Sequence, residues 1–179
     1  MERKITNMDK EQLLLGNKQF VSSLEERVKD KELLRILLDG QHPQALVVTC
    51  SDSRVIPEKI FSKTFGDLFV IRTAGNVINE GELASIEYGI EHLNIPLVVI
   101  LAHTHCGAVH AAMHNEKGMY LDPILNRIQK NVVGITDEKL ASEQNAIKEV
   151  SFIKNKFPSY KGEVIAMIYD LKDGRVSIL

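Results

Sequence analysis

Ala45-Leu46-Val47-Val48-Thr49-Cys50-Ser51-Asp52-Ser53-Arg54 begins as a buried strand and ends in reactive side chains. Residues 45–49 form an apolar run too short for a helix and without polar alternation, the pattern of a strand covered on both faces. Runs at 68–71, 97–102 and 164–169 read the same way, rich in Val, Ile and Leu between turn residues. Between them lie helical patterns. From Glu80 to Leu93, Leu83, Ile86, Ile90 and Leu93 share a face before Asn94-Ile95-Pro96 breaks it. A second helix is expected from Thr136, as N-cap, to Phe157 before Pro158, with Leu140, Ile147 and Val150 on its buried side. Lys172-Asp173-Gly174-Arg175 reads as a hairpin turn, which makes Val176 to Leu179 an antiparallel edge strand.

The expected fold is α/β: a central, mostly parallel four-stranded sheet flanked by helices, with a C-terminal antiparallel edge strand and an N-terminal helical arm. At 179 residues the chain is read as one domain, 1–179, with the arm at 1–40 and the α/β core at 41–179. The arm carries two amphipathic stretches within residues 8–39, through Leu13, Leu14 and Phe20 and through Leu33, Leu34 and Leu37. These pack on their own domain or wrap around a second subunit; the sequence leaves both open.

A hydrophobic fraction of 44% and a net charge of -2 fit a soluble globular protein with no general attraction to phosphate backbones or anionic lipid. No nucleic-acid or membrane partner is expected. The N-terminus shows no apolar signal core and no run approaches a membrane span, so a cytoplasmic location is the expectation. In a reducing compartment the two cysteines serve metal or redox chemistry more readily than a disulfide.

Both cysteines follow apolar strands, where an open parallel sheet gathers its ligands. His103-Thr104-His105-Cys106-Gly107 places an imidazole and a thiol three apart, and Cys50 approaches from the neighbouring strand. Two thiolates and one imidazole suit zinc, which takes such donors tetrahedrally and leaves a fourth position. Asp52 is the obvious group to fill it. Arg54, however, can hold a carboxylate bidentately and keep Asp52 beside the metal, leaving zinc free to ionise a water near pH ~7. His105 reads as solvent-facing or in the layer behind the ligands. Taken singly, a strand-end Cys or His is more often core than ligand. The Cys-to-Arg spacing is too short for a phosphatase loop, and no Cys-x-x-Cys supports thiol redox chemistry.

Cys50-Ser51-Asp52-Ser53-Arg54 and His103-x-x-Cys106-Gly107 together resemble the paired motifs of the β-class carbonic anhydrases. The resemblance extends through Leu15-Gly16-Asn17, Phe20-Val21, Gly66 to Arg72, Ala74-Gly75-Asn76 and Ser85-Ile86-Glu87-Tyr88. It implies Cys50, His103 and Cys106 as ligands of Zn2+, Asp52 and Arg54 as the catalytic pair, and Gln41, Phe69, Tyr88 and the Gly107 N–H as the substrate pocket. The implied activity is reversible hydration of carbon dioxide to bicarbonate and a proton by zinc-bound hydroxide. The implied assembly is a homodimer or higher homo-oligomer, with the arm exchanged and the active site at the subunit interface. His105 then suits a proton shuttle. Thr73 and Ala102 stand where asparagine and glycine are usual and bear on rate and substrate preference. The competing readings are a carbonyl sulfide or carbon disulfide hydrolase on the same fold and a noncatalytic, zinc-stabilised binding protein in which Asp52 completes the coordination.

Overall fold

A computed structural model describes residues 10–26 and 28–179, in two compact units, one ending at Gln41 and the other spanning His42–Leu179. The helical expectation for residues 8, 9 and 27 lies outside the described residues. In the N-terminal unit, α1 (Lys10–Glu26) and α2 (Val28–Ile36) lead into a 3-10 turn at Leu37–Asp39. Leu13, Leu14 and Leu15 are exposed in the single chain. Among the described residues, no helix is long and apolar enough to cross a membrane.

The second unit is built on five strands: β1 (Ala45–Cys50), β2 (Leu68–Thr73), β3 (Leu97–His103), β4 (Glu163–Tyr169) and β5 (Val176–Ile178), in the order β2-β1-β3-β4-β5. The first four run parallel and β5 is antiparallel to β4. The unbroken apolarity of β1 and β3 has a direct cause. Leu46, Val48, Val98 and Ile100 enter one core, whereas Val47, Val99 and Leu101 enter another on the opposite face. The chain leaves β1 toward β2 on one side and leaves β3 toward β4 on the other, so the strand order reverses between β1 and β3. Loops that diverge at such a point open a crevice at the carboxyl ends of the strands.

Each helix serves that frame. The Glu80–Leu93 pattern divides into α4 (Glu80–Glu87) and a wider π turn at Tyr88–His92. Within that turn Gly89 passes close to the sheet; a Cβ there would lie 2.6 Å from Leu46 Cδ1 and 3.2 Å from Ile95 Cδ1. The sequence reading omitted four short elements: α3 (Pro57–Ile60), a 3-10 turn at Ala74–Asn76, α5 (Gly107–Met113) and α6 (Asp122–Asn131). The long helix, α7 (Glu138–Lys156), starts later than expected. Its N-cap is Asp137 rather than Thr136, because the Asp137 carboxylate reaches the Leu140 N–H at 2.8 Å. Its buried face also differs. Leu140 and Ile147 are exposed at 55% and 38%, while Ala141, Asn145, Ala146, Glu149, Val150 and Ile153 are buried. Polar Asn145 and Glu149 displace the leucine and isoleucine because both find hydrogen-bond partners on α6, the half-buried Asn131 and Arg127.

The turn before β5 forms as the sequence predicts. Gly174 adopts φ 76 and donates its N–H to the Asp170 carbonyl at 2.9 Å.

Candidate metal centre

Cys50 is the last residue of β1 and His103 the last of β3, so adjacent strands deliver two donors to the same end of the sheet. After β3, Thr104 ties the turn down: its hydroxyl donates to Asp170 Oδ1 at 3.3 Å and accepts the Leu171 N–H at 3.0 Å. His105 then takes a left-handed φ of 55, and the chain swings into α5 with Cys106 as its N-cap. The donor atoms of Cys50, His103 and Cys106 all lie within 4.8 Å of one another, and all three residues are buried. Among the described residues they form the one such cluster of three or more His, Cys, Asp or Glu.

Hydrogen bonding fits these donors to a metal. His103 Nδ1 faces the Thr104 carbonyl at 2.9 Å; a carbonyl can only accept, so Nδ1 carries the proton and Nε2 the lone pair. That Nε2 is buried without a hydrogen-bond partner among the described residues. An orphaned imidazole nitrogen beside two free thiols is costly unless a cation accepts the lone pair. The sulfurs stand 3.9 Å apart. Hydrogen bonding from Cys106 lowers Cys50 to about 4, against the cost of burial, while the same bond, burial and the Cys50 charge push Cys106 up. Two buried sulfurs this close resist carrying two negative charges unless a cation sits beside them.

Asp52 and Arg54 form the bidentate fork expected of them. Arg54 Nε donates to Asp52 Oδ1 at 2.9 Å and Nη2 to Oδ2 at 2.7 Å, with the Arg54 N–H adding 2.9 Å to Oδ1. The guanidinium, foremost through these side-chain bonds, holds the Asp52 carboxyl well below the usual carboxylate range. Oδ2 lies 4.0 Å from His103 Nε2, so the carboxylate sits beside that candidate donor. Arg54 Nη2 also donates to the His105 carbonyl at 3.1 Å, linking the two motif loops; the side chain of His105 is exposed.

The pocket residues fall in different places. Phe69 on β2 is half-buried, and its ring centroid lies 6.2 Å from that of Tyr88, which is 46% exposed and stacks on His92 at 5.3 Å. Gly107 opens α5 and is exposed. Gln41 is exposed at the end of the N-terminal unit. Thr73 donates its hydroxyl to the Val77 carbonyl at 2.6 Å, and Ala102 is buried in the sheet.

Two contributors carried no role in the sequence reading. Arg72 donates from Nε to the Cys50 carbonyl at 3.1 Å and from Nη2 to the Asp52 carbonyl at 2.7 Å, which fixes the course of the Cys50–Arg54 loop. A lone cation at the end of an apolar strand was its visible signal. Gly75 donates its N–H to Cys50 Sγ at 3.3 Å from a left-handed φ of 65. A Cβ there would lie 2.8 Å from Ile128 Cδ1 and 3.2 Å from Ala108 Cβ. Gly75→Ala is therefore expected to cost about 2–4 kcal/mol from left-handed strain and overpacking. Thermal melts of the metal-loaded protein should fall by roughly 5–15 °C; an unchanged midpoint would contradict the crowding.

A family model described as carbonic anhydrase matches residues 45–176. Carbonic anhydrase 2 of Mycobacterium tuberculosis is 35% identical over 178 residues, covering 89% of this chain and 86% of its own. A carbonic anhydrase of Emericella nidulans is 30% identical over 184 residues, covering 89% and 78%. Among solved structures, the β-carbonic anhydrase CafA of Aspergillus fumigatus superposes with a TM-score of 0.83 at 28% identity, covering 93% of this chain and 88% of that one.

Proposed function

The chain belongs to the β-class carbonic anhydrase family, and from that premise we propose that it is a zinc-dependent carbonate dehydratase, interconverting carbon dioxide and bicarbonate with release of a proton. The observation that carries this reading is the unpartnered, buried Nε2 of His103 facing two free thiols, with Asp52 clamped beside it by Arg54. A purely structural metal site gains nothing from such a clamp.

Cys50, His103 and Cys106 would hold the zinc. When bound, the ion supplies a Lewis acid that brings the ionisation of water down to roughly neutral pH. The remaining chemistry belongs to the chain. Asp52, kept ionised by Arg54, spends Oδ1 on two arginine N–H groups and retains lone-pair capacity on Oδ2, the oxygen nearer the ligands. There it accepts a hydrogen bond from the attacking water and aims the oxygen lone pair at the carbon. Arg54 keeps the carboxylate from taking a coordination position. Phe69 and Tyr88 line an apolar pocket suited to a small linear molecule without charge. The Gly107 N–H, which lies outside the internal bonds of α5, holds a substrate oxygen.

The protein acts as a homodimer or larger homo-oligomer, with the site shared across the subunit interface. Exposed Tyr88 and the exposed leucines of α1 support that reading, since apolar surface of this kind is usually covered. The free thiols suit the reducing cytoplasm.

Stopped-flow hydration of carbon dioxide tests the proposal. Asp52→Asn should lower the rate by about 10²-fold or more with zinc content unchanged. A correctly folded, zinc-loaded wild type that is inactive at alkaline pH would sink it.

A further inference from the structure

We propose that Asn145, wholly buried on α7, is a positioning residue: it holds Gly75 so that the glycine N–H donates to Cys50, and thereby sets how tightly Cys50 binds the metal. Asn145 Nδ2 donates to the Gly75 carbonyl at 2.9 Å, and the Gly75 N–H donates to Cys50 Sγ at 3.3 Å. One residue thus connects the helix to the sulfur through both of its backbone groups. Gly75 has no Cβ to restrict it and adopts φ 65, so its own conformational freedom does not fix the direction of its N–H. The restraint has to come from a partner, and Asn145 is that partner.

The orientation of the Asn145 amide is determined in turn. The Gly75 carbonyl can only accept, so Nδ2 must face it and Oδ1 must face the other way. There Asn131 Nδ2 donates to Oδ1 at 2.9 Å and also contacts Glu149 Oε1 at 3.3 Å. Glu149 is itself locked by Arg127, at 2.6 Å and 2.7 Å. The result is a hydrogen-bonded series that runs from half-buried Arg127 and Asn131 through buried Glu149 and Asn145 to Gly75 and Cys50, in which every donor and acceptor named has its counterpart. A hydrogen bond to a thiolate stabilises the anion and draws charge from the sulfur, so a fixed N–H at Cys50 lowers the cost of the ionised ligand. Partners one step behind a metal ligand typically change metal affinity by about 10–100-fold when removed.

The inference rests on the zinc reading, and its test uses the full-length, metal-loaded protein with two readouts besides activity. Zinc affinity is measured by chelator competition, and the thiolate-to-metal charge-transfer band is recorded on the cobalt-substituted protein. Asn145→Leu keeps the shape and removes the donor to Gly75; Asn131→Leu removes a neighbour in the same network and leaves that donor in place. Both substitutions should lower the melting temperature. Asn145→Leu alone should weaken zinc binding by about 10–100-fold and move the cobalt band to lower energy. Wild-type affinity and band in Asn145→Leu would overturn the proposal, as would equal losses in both variants. If Asn145→Leu does not fold, Asn145→Ala carries the same comparison. A wild type that binds no zinc at this cluster would instead sink the functional reading on which the inference stands.

Discussion

Replacing Cys106 with serine is expected to abolish metal retention and catalysis together: zinc falls from one per chain to near zero, and hydration slows by more than ~10⁴-fold to the buffer rate. A serine hydroxyl stays protonated at neutral pH, and the remaining Cys50 and His103 donors do not make a tight site. The sulfurs are 3.9 Å apart and buried, so the anion at one raises the cost of an anion at the other. The metal-free pair therefore keeps one proton between its two sulfurs. Zinc binding should release about one proton, counted by calorimetry in buffers of different ionisation enthalpy. Metal-free wild type should recover activity when zinc is returned and Cys106→Ser should not. Stoichiometric zinc in the serine variant would remove Cys106 from the ligand set.

The second large effect concerns stability. Glu149 has a fully buried side chain and is held by a bidentate Arg127, whose guanidinium also lies 4.0 Å from the Phe152 ring centroid. Arg127→Leu retains apolar contact and strands the carboxylate with Asn131 alone, at a cost of about 3–5 kcal/mol. For a chain of this size that corresponds to a fall of roughly 6–20 °C in melting temperature at fixed protein and zinc concentration. The double variant Arg127→Leu, Glu149→Leu should recover most of the loss, because a buried pair replaced by apolar groups is often near neutral. A single variant that melts within 2 °C of wild type, on the order of 1 kcal/mol, would show that the ion pair is not the restraint its geometry implies.

β1 and β3 were legible because burial on both faces leaves an unbroken apolar run; β1, β2 and β3 run on to Cys50, Thr73 and His103, β4 starts one residue earlier, at Glu163, and β5 stops at Ile178 rather than Leu179. Those extensions matter, since two of them end in donors of the Cys50, His103 and Cys106 cluster. The buried face of α7 was not legible: hydropathy selects Leu140 and Ile147, but the helix buries Asn145 and Glu149 against partners on α6 that no local pattern reveals. The same limit applies at the metal centre. Asp52 and Arg54 are two residues apart, and their pairing follows from spacing and charge. Arg72 reaches Asp52 from 20 residues away and Asn145 reaches Gly75 from 70, contacts that exist only once the sheet and α7 are in place. Short helices such as α3 and α5 escaped because one or two turns carry too little periodicity to register.

The pairing of β1 with β3 also bears on the order in which the protein matures. Thr49 and Leu101 are opposite each other in the sheet although 52 residues separate them in the chain, and the cluster of Cys50, His103 and Cys106 lies past this end of the register. Before that pairing, Cys50 and the His103–Cys106 turn are distant points on a loose polymer, and an ion joining them would bear the full entropy of closing the loop. Parallel pairing across such a separation is also slow compared with helix formation. If the cluster holds zinc as proposed, the paired strands bring its donors together before the ion joins them, so the metal-free chain is expected to fold first and take up zinc afterwards; refolding in chelator followed by return of zinc checks this order.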